Sequence, residues 1–168
     1  MAYSGVLEFE NRGRLRLELN SKGEFVMSMS QSEIKNKVLS IFDSHYVGTL
    51  STVKDNKPHS RFMTFFNDEL TLMTPTSKET HKVEDIEQNK NVHVLLGYDG
   101  EGWHDRFVEV QGQVTIDDSK ETKEKLWGDQ LKRWFDSPED PNYIVLKIKP
   151  DTIRLMNEGE NTPETLEL

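Results

Sequence analysis

The stretch from His59 to Leu96 constrains the fold most, because it places strand, turn, strand and helix signals directly after one another. A strand-like run begins at Arg61, a tight acidic turn follows at residues 67–69, and a second strand ends at Thr76. A short helix comes next. Strands that are joined by hairpins leave exposed edges unless their sheet closes on itself. The stretch therefore predicts a mainly β fold with flanking helices, built as a closed antiparallel barrel.

The rest of the chain offers further strands and helices of the same kind. Runs rich in β-branched and aromatic residues predict strands over Tyr46–Val53, His59–Phe66, Val92–Tyr98, Phe107–Ile116 and Tyr143–Ile148. Helical spacing predicts a helix of about three turns after Ser32, a second over Glu79–Gln88 and a longer third after Ser119. The third helix has these residues mostly on one side: Leu126, Trp127, Leu131, Trp134 and Phe135. Trp103 and Trp127 are predicted to be packing residues.

Basic and hydroxyl side chains gather at the strand ends and at the helix start of this central stretch. They are Arg61, Thr74, Thr76, Ser77, Lys78, Thr80, His81 and Lys82. The formal net charge of the chain is −9, so a local collection of cations and hydroxyl groups stands out. Such donors suit an anion, because a phosphate needs several charge-assisted hydrogen bonds away from bulk water. The pattern predicts a phosphate site.

The order of these signals resembles the pyridoxamine 5'-phosphate oxidase-like FMN-binding split barrels. The resemblance rests on a strand with Arg61, a hairpin, a strand with Thr74, a helix that opens on hydroxyl and basic residues, and a strand after Asn89-Lys90-Asn91-Val92. The segment KLWGDQLKRWFDSPEDPNYIVLKIKPDTIRL resembles the general stress protein branch of that superfamily. The likeness spans Ile34 to Asn157. It implies one FMN-binding split-barrel domain over residues 30–157 and leaves residues 158–168 as a polar tail.

The resemblance also assigns roles to individual residues. Arg61 and the helix-start residues Thr80, His81 and Lys82 would hold the flavin phosphate. The other implied cofactor-binding residues are those of the strands beside the isoalloxazine, Phe62, Met63, Thr64, Thr74 and Pro75, and one that lies near the partner subunit's flavin, Trp134. Each of three residues also has a purely structural interpretation. Arg61 could be a solvated strand residue, Thr74 an ordinary strand residue and Trp134 a core residue.

Two positions depart from the family pattern. His81 stands where related proteins have an arginine, and a histidine carries its full charge only below about pH 6.5. Phe66 stands where the oxidases often have another phosphate-binding lysine. Both departures reduce the expected strength of the phosphate contact, while FMN remains the expected cofactor.

Composition and spacing exclude several other classes of function. The chain has no cysteine, so disulfides, thiolate metal sites and cysteine nucleophiles are absent. The five histidines lack metal-ligand spacing, so no metal is predicted. The acidic balance argues against nucleic-acid binding, and no apolar run approaches the roughly 18 residues of a membrane span. The expected location is the cytoplasm. The carboxylate pairs Glu84-Asp85 and Glu139-Asp140 are predicted to be solvated faces and caps.

The first 29 residues lie outside the resemblance and have two interpretations. VLEFE, Asn11-Arg12-Gly13 and RLRLEL alternate apolar and charged side chains around a turn signal, which suits an added β-hairpin. The favoured alternative is an extension that comes from an expression vector or from an upstream start, because Met27 and Met29 precede a conventional domain opening.

The resemblance implies a homodimer with FMN at the subunit interface. Two functions fit it: a flavin-dependent oxidoreductase that uses a reduced nicotinamide, NAD(P)H, and a small electron acceptor, or a non-catalytic protein that binds, stores or senses flavin under stress. A weaker third interpretation is a cofactor-free dimerisation module. Oxidation of vitamin B6 is not expected, because the C-terminal arginine and tryptophan segment of those oxidases does not follow Ile153-Arg154-Leu155.

Overall fold

A computed structural model describes residues 5–8, 14–19, 23–158 and 162–168. Within these ranges the strands form two separate antiparallel sheets. The smaller sheet contains β1 (Gly5–Glu8), β2 (Arg14–Leu19) and β3 (Phe25–Met29). The larger sheet contains β4 (Val47–Lys54), β5 (Lys57–Thr64), β6 (Phe66–Asp68), β7 (Thr71–Ser77), β8 (Asn91–Leu96), β9 (Phe107–Asp117), β10 (Tyr143–Met156) and β11 (Glu164–Leu166).

The larger sheet runs in the order β5-β4-β8-β9-β10-β7-β6, with β11 added on β10. The sheet curls because β9 and β10 are long and their pairing shifts register between Pro150 and Thr152. Gly112 permits this curvature, since a Cβ at that position would overlap the carbonyl oxygen of Lys149. The end strand β5 approaches β7, which is next to the end strand β6 on the other side of the curl, and the two do not pair. The prediction of a mainly β, antiparallel fold with flanking helices is confirmed.

Two helices pack on the barrel as their apolar spacing predicts. Helix α1 (Gln31–Ser44) begins at the N-cap Ser30, whose Oγ accepts a hydrogen bond from the Glu33 amide at 3.3 Å. Its buried face joins the main core. Helix α2 (His81–Gln88) buries Val83 and Ile86 in the same core. Its N-cap Thr80 makes no side-chain capping bond.

The prediction of one long third helix is wrong. Helix α3 (Lys120–Leu126) ends at Trp127, and a 3₁₀ turn (Asp129–Leu131) follows after an extended Gly128. The break lets Leu131 and Phe135 turn back onto the side of the barrel. There they form a second core cluster with Met73, Leu126, Tyr143 and Val145.

Trp103 was predicted to be a packing residue, and this is also wrong. Its side chain is 95% exposed, because it lies in the glycine-flanked loop between β8 and β9, where no other element covers it. Trp127 is partly buried and packs against the second core cluster, as predicted.

The segments before and after the barrel contain strands. In the N-terminal segment β1 pairs with β2 and β2 with β3, while the predicted turn at residues 11–13 lies outside the described residues. The segment predicted as a polar tail includes β11, which pairs with β10 and buries Leu166. The Gln31 side chain bonds the backbone on both sides of Leu166, at Thr165 and Glu167. The chain after β10 therefore returns to the barrel.

Candidate functional site

A groove of about 750 Å³ lies where β5 and β7 approach each other. The start of α2 borders one part of it, and the loop after α3 borders another. Of the predicted cofactor-binding residues, those that line the groove are Phe62, Met63, Thr64, Pro75, Thr80, Lys82 and Trp134. Arg61, Thr74 and His81 do not line it. The groove therefore brings together most of a set that is scattered over more than seventy positions of the sequence.

Lys82 is the cation that lines the groove on the side of α2. Its side chain is half-buried and, within the described part of the chain, makes no ion pair with a carboxylate. Burial and the nearby positive charge of Arg61 both lower the pKa of Lys82. A partly desolvated ammonium without a counter-ion is a favourable partner for an anion.

Arg61 lies behind Lys82 on β5 and already has protein partners. Its Nη1 donates to the Thr52 hydroxyl at 2.7 Å and to the Leu50 carbonyl at 3.4 Å. Its Nη2 lies 3.6 Å from a carboxylate oxygen of Asp85. Partial burial lowers the pKa of Arg61, and the Asp85 charge opposes that effect. Arg61 is thus neither a solvated strand residue nor an open ligand-facing side chain.

His81 points away from the groove, although it is adjacent to Lys82 in the sequence. Its side chain is 93% exposed and lies 3.5 Å from the Glu84 carboxylate. Because α2 begins at this residue, neighbouring side chains diverge by about 100° around the helix axis. The groove-lining hydroxyl residues that accompany Lys82 are Thr76, Ser77 and Thr80.

The opposite part of the groove is aromatic. The Phe62 and Trp134 side chains are 78% and 69% exposed, and the guanidinium of Arg133 lies 5.0 Å from the Trp134 ring centroid. Phe135, which also lines the groove, stacks on Tyr143 with ring centroids 4.8 Å apart. The interpretation of Trp134 as a core residue is therefore wrong, since the broken helix holds it at the rim.

Asp85 is the residue whose role the sequence reasoning missed. It was predicted to be solvated with Glu84, but it is only 3% exposed, because α2 turns it toward β4 and β5. The Thr52 hydroxyl donates to it at 3.0 Å. The available signal was spacing, since Asp85 follows Lys82 by three residues and so lies on the same side of a helix.

The donors at the α2 end of the groove fit a phosphate ester. Lys82 supplies an uncompensated charge and the N-terminal amides of α2 lack a capping side chain, while the Thr80 hydroxyl already donates to the Ser77 carbonyl at 2.9 Å. Behind them Thr74 is fully buried, and its Oγ1 has no hydrogen-bond partner among the described residues. The ammonium, the backbone amides and the groove-lining hydroxyls of Thr76 and Ser77 together form the donor set that a phosphate needs.

Comparison with known proteins identifies the family of the chain. The family model described as pyridoxamine 5'-phosphate oxidase matches residues 34–157. The chain belongs to the pyridoxamine 5'-phosphate oxidase family. Within this family it is 59% identical over 140 residues to general stress protein 26 of Bacillus subtilis (strain 168), a match that covers 83% of this chain and 100% of that protein. The resemblance to the general stress protein branch is confirmed.

Two solved structures of family members share the fold. One is general stress protein 26 from Bacillus anthracis str. Sterne, at 42% identity and a TM-score of 0.73, covering 81% of this chain and 99% of that one. The other is a putative pyridoxamine 5'-phosphate oxidase from Listeria innocua, at 39% identity and a TM-score of 0.67, covering 74% and 98%. They confirm the split-barrel fold that the family resemblance implied.

Neither a metal cluster nor a membrane-spanning helix is present in the part of the chain that the structure describes. No group of three or more histidine, aspartate or glutamate side chains there could hold a metal ion. None of the described helices has the length and apolar character that crossing a membrane requires.

Proposed function

We propose that the groove binds FMN and that this protein is a flavoprotein of the general stress protein 26 type. Lys82 and the amides of α2, with Arg61 nearby, would hold the phosphate, and Thr80 would contact it if its hydroxyl turned away from the Ser77 carbonyl. Phe62, Met63, Thr64 and Pro75, which line the groove, would contact the flavin ring. The observation that carries the proposal is the half-buried Lys82, which has no carboxylate partner among the described residues and lies beside hydroxyl groups in a groove that continues into an aromatic region.

The surface around the groove supports a homodimer. Four large apolar side chains near it are more than half exposed: Tyr46, Val47, Phe62 and Trp134. A cluster of this kind on a soluble protein usually marks an interaction surface. A second copy of the chain that covers this cluster would exclude water from the flavin. We therefore place the flavin between two copies, near the partner's Trp134.

When bound, the flavin would supply the hydride and electron chemistry, and the chain would supply position and electrostatics. We infer that a reduced nicotinamide is the electron donor and that a small molecule is the acceptor. The test is anaerobic mixing of flavin-loaded protein with NADH or NADPH while the visible spectrum is recorded. Rapid loss of the oxidised-flavin absorbance supports the oxidoreductase.

A non-catalytic flavin-binding or flavin-sensing role is the second candidate. Among the described residues that line the groove, the ionisable groups are Glu79, Lys82, Arg133 and Asp140, and no histidine is present. Lys82, whose pKa is lowered by burial and by the charge of Arg61, already has the role of phosphate ligand in this proposal, so no group is left with an assigned role in proton transfer. Flavin that binds but is not reduced by either nicotinamide would favour this second function.

The binding itself is tested separately from turnover. Purified protein is saturated with FMN, passed through a size-exclusion column and examined for co-eluting flavin at the mass of two chains. FAD and riboflavin are run in parallel. Co-elution of FMN with a dimer supports the proposal, whereas a flavin-free protein after each of the three incubations would overturn it.

A further inference from the structure

Asp85 lies beneath the proposed phosphate site and has no assigned role there. It is 3% exposed, and three groups surround its carboxylate. The Thr52 hydroxyl donates to Oδ2 at 3.0 Å, Arg61 Nη2 lies 3.6 Å from the same oxygen, and Lys54 Nζ lies 3.8 Å from Oδ1. Oδ1 has no hydrogen-bond partner among the described residues. The buried negative charge of Asp85 is thus compensated by two ion pairs of 3.6 and 3.8 Å and by one hydrogen bond of 3.0 Å.

A buried carboxylate is costly unless cations compensate its charge. Lys54 is the more distant and the more exposed of the two cations around Asp85. Arg61 is therefore the principal counter-ion. The same pairing reduces the positive potential that Arg61 presents to the groove, because a nearby opposite charge offsets part of its field.

An incoming phosphate needs the charge that Asp85 already uses. Arg61 also gives both of its Nη1 contacts to Thr52 and Leu50, so it does not turn freely toward a ligand. The third predicted cation, His81, faces solvent. Lys82 is left as the one predicted phosphate cation of the described residues that lines the groove without a counter-ion.

We propose that Asp85 is a built-in competitor for Arg61, which limits the affinity of the groove for the flavin phosphate and makes the flavin an exchangeable ligand. This inference rests on the proposed function and adds a regulating residue to it. In the flavin-free groove Arg61 neutralises Asp85. With FMN bound, the phosphate and Asp85 share the charge of Arg61, so that neither anion is fully neutralised and the binding of FMN is weaker.

The test is the substitution Asp85→Asn, which keeps the shape of the side chain and an acceptor for Thr52 but removes the charge. We expect FMN to bind about tenfold more tightly, because Arg61 no longer has to neutralise Asp85 and its charge is available to the phosphate. Riboflavin, which has no phosphate, should bind with unchanged affinity. Damage to the fold would weaken the binding of both ligands, so a gain that is confined to FMN identifies competition. Isothermal titration with both flavins measures the two affinities.

Two control variants make the result specific. Asp117→Asn removes a carboxylate that pairs with Lys147 and does not line the groove, and it should leave the ratio of FMN to riboflavin affinity unchanged. In an Arg61→Met background, Asp85→Asn should give much less than the tenfold gain, because the shared guanidinium is gone. A full gain in that background would show that Asp85 does not act through Arg61.

A second measurement covers the case in which the Asp85→Asn protein is unfolded in the absence of flavin. FMN would then restore its folding by binding the native state, and riboflavin would do so less well. Failure of both flavins to restore folding would overturn the inference and make Asp85 a purely structural residue. Equal or weaker FMN binding by a folded Asp85→Asn protein would overturn it as well. If the unsubstituted protein binds no flavin, the proposed function itself fails, which is a different result.

Discussion

Two charged regions at different sides of the barrel differ in how completely their charges are paired. One is the groove, with Lys82, Arg61 and Asp85. The other is a cleft of about 340 Å³ between α1 and the loop after β8. In the cleft, Lys37 and Arg106 both reach Glu158, at 2.8 and 3.0 Å.

The pKa shifts express the same contrast. Burial alone would raise the pKa of Glu158, but the hydrogen bonds from Lys37 and Arg106 lower it below its usual value. In the groove, burial and Arg61 lower the pKa of Lys82, which no carboxylate of the described residues offsets. The two cations of the cleft are therefore paired with a carboxylate, whereas Lys82 in the groove has no carboxylate partner among the described residues. An anionic ligand is expected only in the groove.

The substitution Lys82→Met should have the largest effect on FMN affinity, because it removes the unpaired cation of the groove. Methionine keeps most of the volume but removes the charge, and a charge-assisted contact to a phosphate is worth up to about 3 kcal/mol, so FMN affinity should fall about 100-fold. Riboflavin affinity should stay the same. Lys37→Met in the cleft is the matched control, and it should leave both affinities unchanged. Equal losses of FMN affinity in the two variants would mean that the groove is not special.

Trp134→Ala should have the next largest effect. The ring is 69% exposed, so we expect its removal to lower the free energy of unfolding by less than about 0.5 kcal/mol. A core tryptophan would cost about 3 to 5 kcal/mol. Flavin affinity should fall about tenfold if the ring covers the flavin of the partner, since stacking on an aromatic ring contributes about 1 to 3 kcal/mol per base in comparable sites. Urea unfolding and flavin titration of the same preparation separate the two effects.

His45 provides a smaller effect that belongs to the cleft alone. Burial would lower its pKa, but the hydrogen bonds to Asp99 and to the Ile41 carbonyl, with the charges of Asp99 and Asp105, raise it above the usual value. A raised pKa in the folded state adds stability below the unfolded pKa of about 6.5, and this contribution is lost as the pH rises through the folded value.

His45→Gln should therefore flatten the decline in stability above pH 6.5, by less than about 1 kcal/mol because the pair is partly exposed. His81→Gln is the control, since its side chain is 93% exposed. Melting curves from pH 5 to about 9 measure both variants. A His45→Gln profile with the same slope as the unsubstituted protein would show that the ion pair to Asp99 does not contribute.

The N-terminal sheet lies outside both regions, and its removal should have the smallest effect. β1 and β2 make no backbone pairing with the barrel sheet in the described residues. A chain that starts at Met27 should keep its flavin content, and its melting temperature should change by less than about 2 °C, which corresponds to well under 1 kcal/mol in a domain of this size. A loss of several degrees would show that this sheet packs on the barrel.

The barrel could be predicted from the sequence because the signals for its strands and hairpins are local. Alternating strands, a hairpin and the order of residues from Arg61 to Lys82 are readable along the chain, and they led to the family and to the mainly β fold. The break after α3 was missed because Leu126, Trp127 and Leu131 continue a helical spacing across Gly128. What ends the helix is packing of the following loop on Tyr143, which is distant in sequence.

The charge pairing in the groove could not be predicted for the same reason. Asp85 is buried because Thr52 on β4 and Arg61 on β5 meet it from other parts of the chain. Composition alone made it look like a solvated partner of Glu84. The direction of His81 likewise depends on where α2 begins. The sequence predicted most of the residues that lie near the site. It did not predict which of their charges are already paired within the protein.

The central claim is that the groove recognises the flavin phosphate through Lys82 and its neighbours. Calorimetric titration of the unsubstituted protein with FMN and with riboflavin, in the same buffer without added phosphate, tests this claim most directly. We expect FMN to bind at least tenfold more tightly than riboflavin, with a difference in affinity that shrinks as salt is added. Equal affinities for the two flavins would contradict it.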